Sequence, residues 1–231
     1  MSAARTPTRL DTIVYIDGFN LYYRALKSKP QFKWLNLLDL AGQVLSPKNR
    51  VTKVWYFSAH VSARLDPGAP VRQKLYLDAL KTVPEIEARF GNFLVNKRGA
   101  GLVPPDLDPA KPNARPPFLP WPDVVRIFRT EEKGSDVNLA TQLLIDSFKN
   151  NYDVAAVVTN DTDLVEPIRF ATQEMNKVVG IISPVPKAAT SLQNVASFVR
   201  HIRDQHLAAS QFPDPIPLPG GKQIAKPPTW I

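Results

Sequence analysis

Apolar residues along this chain come by turns in short unbroken runs and at helical spacing. Thr12–Ile16, Val51–Phe57, Val154–Thr159 and Val178–Ile182 are runs rich in β-branched and aromatic side chains, with no polar alternation. Runs of this kind read as strands buried on both faces, the habit of parallel sheets. A third strand is placed at Phe93–Val95, a short one at Val124–Phe128 and a terminal one near Phe198–Ile202. Helical spacing follows the runs. It covers Leu21–Leu26, a stretch from Phe32 to Leu45, Val71–Val83 behind Pro70, and Ala188–Ala196. It also covers Leu164–Ala171, with Leu164, Ile168 and Ala171 on one side. The strongest helix is expected over Val137–Lys149, opened by Glu131–Asp136, with Val137, Ala140, Leu144 and Phe148 as its core stripe and Leu143 beside it.

Strands alternating with helices predict an α/β fold: a mostly parallel central sheet covered by helices on both faces. Two proline-rich segments interrupt the pattern. Residues 99–122 read as an inserted surface loop whose Phe118 and Trp121 pin its end to the core. Within the expected extension 204–231, the residues from Phe212 onward read as an extended, mobile tail, so truncation at Ser210 is expected to leave folding intact. The expected organisation is a short extension over 1–9, a domain over 10–203 and that tail.

The chain of 231 residues is 44% hydrophobic, enough for one large core. Its 29 basic and 21 acidic side chains give a formal charge of +8, which favours a polyanionic partner, nucleic acid first. There is no cysteine, which excludes disulfides, thiolate metal sites and cysteine nucleophiles. No apolar run is long enough to span a bilayer, and no apolar signal region follows Met1–Arg9, so a soluble cytoplasmic protein is expected.

The chemistry lies where strands hand over to helices. Asp17 ends the first strand, with Asn20 about one helical turn on. Asp161 and Asp163 end Val154–Thr159, and Asp136 stands at a helix start in phase with Ala140 and Leu143. Each aspartate alone reads as readily as a helix cap. In a parallel sheet, however, these strand ends share one edge, which gathers the carboxylates. Close carboxylates repel unless a cation neutralises them, and a hard divalent ion such as Mg²⁺ or Mn²⁺ suits an all-oxygen set. Other chemistries lack their motifs. No GxGxxG follows the first strand, and neither GxxxxGK[ST] nor GxSxG occurs. His60, His201 and His206 are scattered.

Three segments carry a resemblance: Val14–Leu21 (VYIDGFNL), Lys133–Ala140 (KGSDVNLA) and Val158–Leu164 (VTNDTDL). In this order they resemble the NYN domain, a PIN-like nuclease family that includes the DUF88/LabA-like proteins. The resemblance spans roughly residues 10–203. It implies a PIN-like, Rossmann-like three-layer sheet and a metal-dependent ribonuclease site made of Asp17, Asn20, Asp136, Asp161 and Asp163. Of these, Asp17, Asp136, Asp161 and Asp163 are the implied metal ligands, and Lys133 also matches a recurrent position. Two departures stand out. Asn160 replaces the family's usual glycine, and Ser197 stands where an aspartate often occurs.

The expected function is hydrolysis of single-stranded RNA, with Arg64, Lys97, Arg98, Arg129 and Lys133 holding the backbone. The alternative is a catalytically weak or inactive RNA-binding protein of the same fold, alone or as a homo-oligomer. A protein partner for the proline-rich tail is compatible with either. The excess positive charge has a measurable consequence. RNA affinity should fall steeply across a salt series through counterion release, and a flat response would argue against a phosphate-tracking surface.

Overall fold

The computed structural model describes residues 9–64, 66–102 and 122–230. Chain order begins with strand β1 (Leu10–Asp17), a short helix α1 (Gly18–Leu21) that runs on through Leu26, helix α2 (Leu37–Val44) and strand β2 (Asn49–Ala59). Helix α3 (Ala69–Leu80), strands β3 (Ile86–Gly101) and β4 (Val124–Lys133), and helix α4 (Ser135–Phe148) follow. Then come β5 (Val154–Val158), α5 (Val165–Arg169), β6 (Val178–Ser183), α6 (Thr190–Val195), β7 (Phe198–His201) and α7 (Asp204–Ala209). A two-stranded hairpin, β8 (Ile216–Pro217) with β9 (Gln223–Ile224), lies in the C-terminal segment.

The main sheet has the order β4-β3-β2-β1-β5-β6-β7. Every pairing is parallel except β3 with β4. From β1 the chain builds outward to β2 and β3, then returns to lay β5 on the other side of β1. Parallel crossovers are right-handed, so reversing the direction of growth moves the connecting helices to the other face. The burial pattern follows this rule. Val14 and Ile16 of β1 join α2, α3 and α7 in one core, while Ile13 and Tyr15 join α4, α5 and α6 in the other. The expected three-layer α/β fold is therefore the observed one.

Local chemistry sets the element ends. Asn36 caps α2 by accepting from the Leu38 and Asp39 backbone N–H groups at 3.1 and 3.4 Å. A side chain at Gly18 would meet the Phe57 carbonyl at 2.6 Å and the Tyr56 ring at 2.7 Å, so only glycine lets α1 start this tightly against β2. Gly134, at φ 97°, turns the chain from β4 into α4.

Four expectations change. The third strand is much longer than Phe93–Val95. Its first part, Ile86–Gly91, lies in the parallel sheet, and Asn92–Gly101 then leaves it as an antiparallel ribbon with β4. Glu131–Lys133 belong to β4 rather than to the helix start, because they pair with Asn92–Leu94. The core face of α4 is Leu139 and Leu143 with Gln142, Asp146 and Ser147, whereas Val137 and Phe148 are exposed. The sequence pattern misled here because polar residues occupy the buried face. Asp146 accepts from the Tyr15 hydroxyl at 2.8 Å, Gln142 at 3.0 Å and Asn151 at 2.8 Å, so its burial is compensated. Burial of Tyr15 itself, and then the Asp146 carboxylate, push the Tyr15 hydroxyl pKa well up. Phe118 and Trp121 lie outside the described residues.

The fourth change is the tail. Its aromatic residues pack as part of the α2–α3 core. Phe212, Ile216 and Trp230 are buried, and Trp34 packs edge-on against Phe212 at 5.9 Å and Trp230 at 6.3 Å. The Trp34 indole N–H donates to the Pro213 carbonyl at 3.1 Å, and Leu35 bridges to Gln211. Prolines break regular structure but leave the aromatic anchors between them free to pack. Trp230→Ala should therefore lower the unfolding free energy by about 3 kcal/mol or more, read by urea denaturation. An unchanged midpoint would mean that the segment is not part of the core.

Candidate functional site at the carboxyl edge of the sheet

The strand order reverses between β1 and β5, and in doubly wound sheets ligands bind outside the strand ends at such a switch point. Asp17 ends β1 there and is only 4% exposed. Its two carboxylate oxygens accept from the Asn20 backbone N–H at 2.9 Å and from the Thr159 hydroxyl at 3.1 Å. The Thr159 hydroxyl also accepts from the backbone N–H of Asp161 at 3.0 Å. One buried hydroxyl thus fixes the end of β5 against the end of β1. Asp161 in turn caps the turn that follows, accepting from the Asp163 backbone N–H at 3.0 Å. The expected capping reading of Asp161 is real, and it coexists with the residue's place at the edge.

Asn20 faces the same edge. Its side-chain oxygen accepts from the Asn160 backbone N–H at 3.0 Å, a second tie between α1 and the β5 loop. Asn160 reaches on to the Ala189 N–H at 2.8 Å and holds the loop before α6, a contact glycine could not make. Ser197 lies elsewhere. Its hydroxyl accepts from the Val179 N–H at the start of β6, on the opposite edge of the sheet, so that departure does not touch the site.

Asp136, in the first turn of α4, and Asp163 line one shallow depression of about 570 Å³. Among the described residues no three His, Cys, Asp or Glu side chains are grouped closely enough to hold an ion. The edge instead offers oxygen donors in two neighbouring sets. One is Asp17 with Thr159 and Asp161, and the other is Asp136 with Asp163. A magnesium-like ion asks for as little as one or two carboxylates, beside several waters and substrate phosphates. Among the described residues this donor set does not make a closed protein cage.

The expected cationic residues fall mainly on the β3–β4 ribbon. Arg64 and Lys97 both lie over the Phe128 ring, at 4.9 and 5.8 Å. Arg98 pairs across from Ile127, and the Arg129 backbone pairs with Asn96. Lys133 is exposed at the root of the ribbon, three residues before Asp136. The histidines stay apart. His60 stacks on Phe90 at 4.2 Å, His201 contacts the Val185 carbonyl, and His206 caps α7.

Sequence reading missed two features. Thr159 reads as the last residue of a strand, and its bridging hydroxyl shows only once β1 and β5 lie side by side. The other is a cavity of about 560 Å³ on the α1–α3 side, lined by Gly18, Tyr22, Tyr56, Tyr76 and Trp230 with Lys33 and Arg72. Its Tyr56 hydroxyl is pushed up to about 12, by burial first, with the Ser58 hydrogen bond opposing and the Asp17 charge adding. The cavity therefore adjoins the acidic edge.

The NYN domain family model matches residues 11–203. The chain belongs to the NYN domain family. That membership suggests a nuclease-type domain. The chain is also similar to 6-hydroxy-3-succinoylpyridine 3-monooxygenase HspA of Pseudomonas putida (strain DSM 28022 / S16). The two are 33% identical over 245 residues, covering 96% of this chain and 75% of that protein. A solved protein of unknown function from Vibrio parahaemolyticus RIMD 2210633 shares the fold. The match has a TM-score of 0.53 and 16% identity, over 90% of this chain and 100% of that one. Among the described residues no helix is long and apolar enough to cross a membrane.

The ties between α1 and β5 can be measured. Asn20→Ala should speed hydrogen exchange of the Asn160 amide about tenfold, as one hydrogen bond is lost. Unchanged protection would mean that the loop is held by other contacts.

Proposed function

We propose that this NYN protein is a divalent-metal-dependent endoribonuclease acting on single-stranded RNA. The observation that carries the reading is the hydrogen-bonded chain from Asp17 through Thr159 to Asp161 and Asp163 at the β1–β5 switch point, with Asn20 tied to Asn160 and Asp136 in the first turn of α4. Asp17 and Asp161 are the ligands offered by one side of the edge, Asp136 and Asp163 by the other. The chemistry a bound Mg²⁺ or Mn²⁺ supplies there is polarisation of a phosphodiester and a lowered pKa for an attacking water. The chain's own residues do the rest. Thr159 and the Asn20 backbone hold the Asp17 carboxylate in one orientation, so no reorganisation is needed when a phosphate arrives. Arg64, Lys97, Arg98, Arg129 and Lys133 supply positive charge along the ribbon for the RNA backbone. The open ribbon suits a flexible strand better than a duplex.

A second reading is favoured by the relative at 33% identity, whose name states a monooxygenase acting on a substituted pyridine. Under it, this chain would oxygenate a related small heterocycle in the cavity beside Asp17.

One set of assays separates the two. Asp136→Asn and Asp161→Asn should each cut RNA cleavage on the order of 100-fold or more, while RNA binding is retained. Products should carry 5′-phosphate and 3′-hydroxyl ends by mass spectrometry, and chelator should stop the reaction. Cyclic phosphate ends formed in chelator would overturn the mechanism. Intact RNA, together with loss of 6-hydroxy-3-succinoylpyridine under dioxygen and an electron donor, would favour the second reading.

A further inference from the structure

The cavity beside Asp17 has a composition of its own. Its volume of about 560 Å³ falls in the range of small-ligand sites. Its deep wall is aromatic. Tyr56 and Tyr76 meet edge-on at 6.4 Å, and Tyr76 meets Trp230 at 6.0 Å. The Tyr76 hydroxyl is already spent on the Leu35 carbonyl at 2.9 Å, so it is not a free polar handle. The mouth carries two cations, Lys33 and Arg72, and one carboxylate, Asp66. The Lys33 ammonium lies 5.3 Å from the centre of the half-exposed Tyr22 ring, and among the described residues no carboxylate pairs with it. Arg72 pairs with Asp66, which is its only such partner among the described residues and leaves further guanidinium N–H donors.

We propose that this cavity binds a small planar aromatic ring bearing an anionic group, the ring against Tyr56, Tyr76 and Trp230 and the anion at Lys33 and Arg72. Electrostatics at the mouth support the anion. The Lys33 ammonium is held below its ordinary pKa by burial first, then by the charges of Arg72 and Lys27. An anionic ligand relieves the repulsion among those three cations. The aromatic wall supplies stacking and edge contacts to a flat ring, and a flat ring loses little conformational freedom on entry. The site is assembled from distant parts of the chain: α1, the turn before α2, α3 and the C-terminal segment. It stands whichever chemistry the acidic edge performs.

A nucleotide, with base and phosphate, and a free aromatic carboxylate share this chemistry. Calorimetry on the full chain with two matched pairs separates them: AMP against adenosine, and nicotinate against nicotinamide. The expected result is that at least one acidic ligand binds about tenfold or more tightly than its neutral partner and quenches tryptophan fluorescence. AMP as the tighter acid assigns a nucleotide site, and nicotinate as the tighter acid assigns a site for free aromatic acids. Lys33→Met, which keeps the apolar stem, should remove most of the acid preference. Should that variant not fold, Arg72→Gln carries the same test. Equal binding of acid and neutral partner, absence of binding by all four compounds, or an unchanged preference in a folded Lys33→Met variant would each overturn the proposal.

Discussion

A carboxylate buried at the end of an apolar strand has to be hydrogen-bonded, and Asp17 is such a carboxylate. Its partners are the Asn20 backbone and the Thr159 hydroxyl, one from the helix that follows β1 and one from the end of β5. Satisfying Asp17 therefore locks together the two strands between which the sheet reverses direction. The same lock orients Asp161 through its N–H and, one step on, Asp163. Loss of the Thr159 hydroxyl would leave a buried anion short of a donor, at a cost of about 1–3 kcal/mol. The stability of this edge and the geometry of the candidate site thus rest on the same few atoms.

The sheet was legible in the sequence because its inner strands are unbroken apolar runs. Val154–Val158 is buried at every position, and no helix or surface strand needs such a run. The place of the candidate aspartates at the sheet edge was legible for a related reason: such runs end abruptly, and aspartates stand where they end. What stayed hidden were interactions between residues remote in sequence. The buried face of α4 carries Gln142 and Asp146, and the distant Tyr15, with the nearby Asn151, makes that face tolerable. Periodicity that counts only apolar residues chooses the wrong stripe. The tail escaped for the opposite reason. Its prolines dominate local propensity, while Phe212 and Trp230 are anchored by partners far back in the chain.

The two faces of the sheet differ. On the α4–α5 side, Asp136 and Asp163 share an open depression. On the α1–α3 side, an aromatic cavity of ligand size lies against the same acidic edge, with Tyr56 between the two. The β3–β4 ribbon adds positive charge at the same end of the molecule. A fold that brings a basic ribbon, a carboxylate edge and a cavity of ligand size together can change what it accepts by altering any one of them. Similarity to relatives with different names is less surprising on such a scaffold.

Trp230 closes one core although it follows every strand of the main sheet in the chain. Ribosomes add about 5–20 residues per second, so Trp34 emerges many seconds before its partner. During that interval the α2–α3 face carries an open aromatic seam. The emerging chain therefore holds a sticky surface until the segment around Trp230 covers it, and slow synthesis between the two tryptophans leaves that surface to chaperones or to aggregation.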